Sequence, residues 1–167
     1  MSEQTPPHGA IRADGPDGSA ARSSVTALSH IAIAVREADS LVELLVSALG
    51  ATRGSEELLD HGALRAVFVH LGPVTLELLE PRSAAHTVAK FLAARGPGLH
   101  HVSVEVGDIV AQLAQAKAAG ARLIDESPRP GAHGTQVAFL HPKSIGGVLV
   151  ELCQRSPAGS GEGRPQT

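Results

Sequence analysis

The sequence predicts an α+β domain of two βαβββ modules related by a pseudo-two-fold, their strands forming one cupped mixed sheet with helices outside. Three observations predict it. The segment Leu28-Ser-His-Ile-Ala-Ile-Ala-Val35 recurs 71 residues later as Leu99-His-His-Val-Ser-Val-Glu-Val106. Each copy leads into a helical segment and then into shorter extended runs. The repeat occurs twice, which suits a closed pair rather than a stacked solenoid of three or more units. An open sheet of three or four strands has one face covered by its helix and the other bare, and pairing two such sheets closes a cup.

Taken in order, residues 1–25 mix Pro, Gly, Ser and Asp without helix or strand period and predict a disordered tail. They hold acids and no apolar run, which argues against a signal or transit peptide. Residues 26–155 read as one domain: module one over 26–81, a linker over 82–97 with a short helix near Ala84–Ala94, and module two over 98–155. Module one opens on the first alternating strand. Asp39-Ser40 then introduces a helix carrying Leu41, Val42, Leu44, Leu45, Ala48 and Leu49, stopped by Gly50. Extended runs follow at Leu64–His70 and Val74–Glu80. Module two repeats the order with Asp108, then Ile109, Val110, Leu113, Ala116 and Lys117, then Gly120. Its extended runs are Ala121–Ile124, Thr135–His141 and Gly147–Cys153, separated by turn signals at 128–131 and 144–147. Residues 156–167 predict a second disordered tail.

Composition narrows the function. Fourteen basic and 17 acidic residues leave a net charge of −3, too balanced to attract nucleic acid or an anionic membrane. Three Phe, with no Trp or Tyr, are few for stacking bases. No apolar run reaches the roughly 18–20 residues of a membrane span. A single cysteine, Cys153, excludes an internal disulfide and fits a reducing, cytoplasmic compartment. Nine His among so few charged residues direct attention to metal or acid–base chemistry.

His30 and His101 hold the same position in the two repeats. Alternation sets His30, Ala32 and Ala34 on one strand face and Ile31, Ile33 and Val35 on the other; His101, Ser103 and Glu105 likewise oppose Val102, Val104 and Val106. The aliphatic face is expected to pack on the helix and the His face to look into the cup. The last strand of each module carries a Glu inside an apolar run: Glu77 in Val-Thr-Leu-Glu-Leu-Leu, and Glu151 in Val-Leu-Val-Glu-Leu. A carboxylate between leucines is costly unless a charge meets it. A lone His at a strand start is more often a satisfied core residue than a ligand, but two His and two Glu in a repeated pattern point to an N₂O₂ metal site. Imidazole and carboxylate donors suit Zn, Co, Ni, Mn or Fe(II), with positions left open for substrate.

These residues resemble a known superfamily, the vicinal oxygen chelate metalloenzymes, and more narrowly the methylmalonyl-CoA epimerase family. The resemblance lies in Leu28–Val35, Leu76-Glu-Leu-Leu-Glu-Pro81, Thr87-Val-Ala-Lys-Phe-Leu92 and Gly98-Leu-His-His-Val102. It is carried further by Gly131-Ala-His-Gly134, Phe139-Leu-His-Pro-Lys143 and Gly147-Val-Leu-Val-Glu-Leu152. It implies the vicinal oxygen chelate fold and inversion at C2 of methylmalonyl-CoA. In that chemistry a divalent ion (Co, Mn, Ni or Zn) stabilises an enolate and an acid or base works on each face. The implied metal ligands are His30, Glu77, His101 and Glu151, with Glu151 doubling as one base. The other base of some family members aligns near Leu64 or Arg65, where this chain has no carboxylate. His61 is a candidate substitute, against the plainer reading of a solvated loop residue. His133 and Lys143 are candidate contacts to an acyl-CoA, near the thioester and a CoA phosphate, against the plainer reading of two turn residues. Relatives suggest a homodimer, which bare sheet edges would invite. Three alternatives remain: a glyoxalase-type isomerase, an extradiol-type dioxygenase and a metal-free small-molecule-binding protein of the same fold. Glu77 as a fourth ligand argues against the dioxygenase, and the scarcity of aromatics against the binding protein.

Overall fold

The first repeat segment forms the centre of an eight-stranded sheet. In the computed structural model, which describes residues 24–155, β1 (Val25–Ala34) runs parallel to β4 (Val74–Pro81) on one side and antiparallel to β5 (Gly98–Val106) on the other. The two predicted tails lie outside the described residues except for Ser24 and Val25, and Val25, placed in the first tail by the sequence, is the first residue of β1. The sheet order is β2-β3-β4-β1-β5-β8-β7-β6, where β2 is Thr52–Leu59, β3 Leu64–Leu71, β6 Arg129–Pro130, β7 Gln136–Leu140 and β8 Val150–Gln154. β5 pairs parallel with β8 as β1 does with β4, so the pseudo-two-fold passes between β1 and β5.

The strand faces divide as the alternation predicts. Ile31, Ile33 and Val35 pack with Val67, Val69, Leu76 and Leu78 beneath α1 (Asp39–Leu49), through Val42, Leu41 and Leu45. In module two, α3 (Ile109–Ala118) covers Val104, Val106, Ala138, Leu140 and Leu152 through Ile109 and Leu113. Each fully buried Leu or Val in these layers contributes roughly 1.5–3 kcal/mol. The linker helix α2 (Thr87–Arg95) instead packs Val88 and Leu92 on the inner face, against Ala34, Leu64 and Leu79, and closes one end of module one. Ala32, Ala34 and Ala66 are fully buried there. Small side chains at these positions leave the inner face open around the histidines.

Three local features differ from the sequence expectation. β2 is absent from the predicted strands because a register shift between Arg53 and Glu56 breaks the alternation, and its charges form ion pairs instead. Ala121–Ile124 supplies one bridge, Leu123 to Leu140, rather than a strand. The short edge strand lies at Arg129–Pro130, inside the predicted turn, where Pro is tolerated because an outward-facing N–H on an edge strand has no ladder partner to lose. The helix signals fare better. Asp108 caps α3 by accepting from the Ala111 N–H at 2.9 Å, and Gly50 ends α1 with φ of 67°. At the start of α1 the capping acceptor is Glu37, which receives the N–H groups of Asp39 at 2.7 Å and Ser40 at 3.0 Å.

Candidate active site

The site follows from strand register. On neighbouring β1 and β5, His30 stands opposite Ser103 and His101 opposite Ala32, so the two imidazoles are diagonal neighbours with Nε2 atoms 3.2 Å apart. Ala32 lies opposite Glu77 on β4, and Ser103 opposite Glu151 on β8. Each glutamate therefore projects onto the same inner face as the histidines. His30 Nε2 is 3.1 Å from Glu77 Oε2 and 3.6 Å from Glu151 Oε1; His101 Nε2 is 3.8 Å and 3.7 Å from the two carboxylates. Glu77, His101 and Glu151 are 4–6 % exposed. Donor atoms of His30, Glu77 and His101 all lie within 4.8 Å of one another. All four residues singled out by the repeat thus meet.

Residues that the sequence reading did not use complete the surroundings. Phe68 lies opposite Glu77 across β3 and β4, and Phe139 opposite Glu151 across β7 and β8. Phe68 is edge-on to His30 at 6.4 Å between ring centres, and Phe139 edge-on to His101 at 5.1 Å. The signal was available, because the two Phe are separated by the same 71 residues as the two His. The Ser103 hydroxyl, fully buried, donates to Glu151 Oε1 at 2.7 Å. His100, a neighbour without a role in the sequence reading, brings its Nδ1 to 2.9 Å from His101 Nδ1 and packs on Phe91. One of these two nitrogens must donate. If His101 uses Nε2 as a ligand, its Nδ1–H is the donor and His100 the acceptor, which fixes the tautomer and orients the ring.

The electrostatics favour one positive charge at the centre. Burial alone would lower the His30 pKa, but the hydrogen bond to Glu77 and the charges of Glu77 and Glu151 outweigh it, and the net shift is upward. Burial first, then the positive charge of His30 and those of His100 and Arg129, push His101 down to about 2, so its imidazole stays neutral. Burial, with some help from Glu77, raises Glu151 to about 7, against the opposing pulls of His30, the Ser103 hydroxyl and Arg129. The carboxylates that raise the affinity of His30 for a proton also suit a cation. Two imidazoles and two carboxylates, buried and converging, fit a divalent metal in donor type and in charge.

The remaining candidates divide. His133 lies in a tight turn, Ala132–Gly134, that crosses from module two to β2. Its N–H donates to both oxygens of Glu57 at 3.1 and 3.0 Å, its Nε2 is 2.8 Å from Ser55 Oγ, and its ring lies 4.5 Å from that of Phe68. Lys143 sits on the exposed turn Pro142–Ser144, where its N–H donates to His141 Nδ1, and it does not join the four central residues. It adjoins a surface groove lined by Phe91, Arg95, Leu99, His100, Pro142 and Val148. His61 is exposed on the turn Asp60–Gly62 and is not drawn into the cluster. Cys153 is buried, as a small core residue would be.

With this geometry in hand, comparison with known proteins places the chain. A model of the Glyoxalase/Bleomycin resistance protein/Dioxygenase superfamily matches residues 29–139, and the chain belongs to that superfamily. It is 39% identical over 128 residues to the mitochondrial methylmalonyl-CoA epimerase of Homo sapiens, covering 76% of this chain and 73% of that one. It is 40% identical over 131 residues to the ethylmalonyl-CoA/methylmalonyl-CoA epimerase of Cereibacter sphaeroides, covering 76% and 96%. The crystal structure of methylmalonyl-CoA epimerase from Mycobacterium tuberculosis superposes with a TM-score of 0.76 at 33% identity, over 84% of this chain and 95% of that one. A methylmalonyl-CoA epimerase in complex with methylmalonyl-CoA and NH4+ superposes at 0.75 with 32% identity, over 82% and 99%. Within the superfamily, the chain belongs to the methylmalonyl-CoA epimerase family.

Proposed function

We propose that this protein is a metal-dependent isomerase that interconverts the R and S epimers of methylmalonyl-CoA by proton transfer at C2. The observation that carries the reading is the meeting of His30, Glu77, His101 and Glu151 in a buried cluster whose net field favours a cation. These four side chains would hold the metal, with Co, Mn, Ni and Zn all compatible with the donor set. When bound, the ion supplies positive charge beside the oxygens on which negative charge develops as C2 loses its proton. Glu151 takes or returns that proton on one face. Its carboxyl is buried and fixed on the inner face by the Ser103 hydroxyl, which sets it for that transfer. Ser103 holds Glu151 in place, and His100 holds His101. Phe68 and Phe139 supply an apolar wall that keeps water from the reacting carbon.

The acyl-CoA substrate lies with its reacting end in the cup. Lys143 and the nearby Arg95 at the surface groove offer cations for the CoA phosphates. We read the protein as a cytoplasmic homodimer, on the strength of its single buried cysteine and the open edges at β2 and β6. No helix among the described residues is long and apolar enough to cross a membrane. Substitution of Glu77 and of Glu151 by Ala tests the site. Each is expected to lower metal content after equilibration with Co or Zn and to reduce interconversion at least 100-fold. Unchanged metal content in both variants would remove the proposed centre.

A further inference from the structure

Inversion at a carbon centre needs one proton-transfer group on each face of the planar intermediate, and Glu151 serves one face. The position that the family resemblance marks for the other falls near Leu64 or Arg65, and neither is a carboxylate; Arg65 is moreover committed elsewhere. Its guanidinium is engaged by Asp39, Glu56 and Glu80, in a network with no proton-accepting group left for substrate. His61, the other candidate, is exposed, as is His133, but it is His133 whose ring lies against Phe68, the residue edge-on to His30. We propose that His133 is the second proton-transfer residue, acting on the face of C2 opposite Glu151, with Glu57 and Ser55 as its positioning residues; this rests on the epimerase reading above.

The pseudo-two-fold locates the two groups. Glu151 stands on the wall of module two, opposite Phe139 in register. His133 stacks on Phe68, the matching residue on the wall of module one, and Phe68 in turn lies edge-on to His30. Both residues belong to module two, but its turn carries His133 across to the module-one wall at Phe68, while Glu151 stays on the module-two wall beside Phe139. The turns at Asp60–Gly62 and Ala132–Gly134 are counterparts, and both hold a His in the left-handed region before a Gly: His61 at φ 56° and His133 at φ 54°. They differ in what they touch. The first is tied back by Asp60 to His86, at 2.8 Å, whereas the second crosses to β2.

His133 is held in this unfavourable backbone conformation by specific contacts. Glu57 accepts its N–H, Ser55 and Glu57 lie 2.8 and 3.4 Å from Nε2, and Thr135 bonds back to Ala132 through both its N–H and its hydroxyl. At Gly131 a Cβ would stand 2.6 Å from Val137 Cγ1 and 2.8 Å from Thr135 Oγ1, so the turn has no slack. His61 shares this backbone conformation, so it is the contacts to β2 and to Phe68 that single out His133. With Nε2 engaged, Nδ1 is the nitrogen left to exchange a proton with substrate.

The step balances without a co-reactant. In one direction the C2–H bond breaks toward Glu151, its electron pair enters the enolate, and imidazolium His133 delivers a proton to the opposite face. The reverse reaction exchanges these roles, and solvent water resets both groups.

The test uses His133→Gln in the metal-loaded full chain, with metal content and thermal unfolding as controls. Each pure epimer is incubated in deuterated water, and C2 exchange is read separately from inversion. The proposal expects interconversion to fall about 10²-fold or more. It also expects exchange to persist from the one epimer whose C2 proton faces Glu151 and to be lost from the other. Glu57→Gln should show the same one-sided bias, with kcat reduced about tenfold and KM unchanged. Interconversion by H133Q within threefold of the parent overturns the proposal, as does equal loss of exchange from both epimers with metal retained. Failure of the unsubstituted protein to exchange either epimer is a separate result, and it takes down the epimerase reading itself.

Discussion

Replacing Glu151 by Gln in the metal-free protein should change how stability depends on pH, by an amount that the burial of this carboxyl sets. In the folded chain its pKa is about 7 against 4.5 for an unperturbed glutamate, because burial penalises the anion more than His30, Ser103 and Arg129 stabilise it. Between those values the native state binds a proton that the unfolded state has lost. Unfolding free energy therefore declines as pH rises through this window, most favourable below 4.5 and fully reduced above about 7. A displacement of this size corresponds to about 3 kcal/mol. Gln does not titrate and removes the dependence. Raised His30 works in the same sense: its contribution is present below 6.5 and is lost as pH rises past its folded value. The variant loses the Glu151 part of this upward pull on His30 but keeps the larger part, which comes from Glu77. Urea unfolding of metal-stripped parent and E151Q at steps from pH 4.5 to 8 provides the measurement. The parent's advantage over the variant should shrink by about 3 kcal/mol across that range. A difference that stays constant, or that grows with pH, would refute the claim that burial governs this carboxyl.

Replacement of His100 by Phe should keep the packing on Phe91 but remove the acceptor for His101 Nδ1–H, lowering metal affinity about 10–100-fold in a chelator competition. Undiminished affinity would mean that His100 does not orient the ligand. Metal binding at pH 6 should release protons, since both His30 and Glu151 hold theirs more tightly in the folded apoprotein than free side chains do. Calorimetry in buffers of different ionisation enthalpy reads the number, and zero release contradicts the assigned protonation. Leu78→Ala, at a fully buried position beneath α1, should cost about 2–5 kcal/mol of unfolding free energy. A loss below about 1 kcal/mol would mean that this layer is not the core of module one.

The residues at the centre were legible because they repeat. His30 with His101 and Glu77 with Glu151 lie at matching places in two copies of one pattern; strand parity assigns each His to the face away from its helix, and the register of β4 and β8 brings the glutamates to it. β2 was not legible: its register shift and the Arg53–Glu56–Arg65 ion pairs replace alternation with a run of charge. The Phe68–Phe139 pair carried the same offset as the histidines and was open to recognition. The contacts of His133 with Ser55 and Glu57 had no such signal, since they depend on a turn of module two reaching an edge strand some 76–78 residues earlier. His100 illustrates a related limit. Alternation assigns it to the opposite face from His101, yet adjacent imidazoles at a strand start still bring their Nδ1 atoms together.

The central claim is that the buried His–Glu cluster, once it holds a divalent ion, moves the proton at C2 of methylmalonyl-CoA. Incubating a single epimer in deuterated water with protein stripped of metal, and then with the same protein reloaded with Co, Mn, Ni or Zn, tests it directly. The account predicts deuterium at C2 and appearance of the other epimer only after reloading. Absence of both exchange and inversion with every one of these metals, in protein shown to have taken them up, would contradict it.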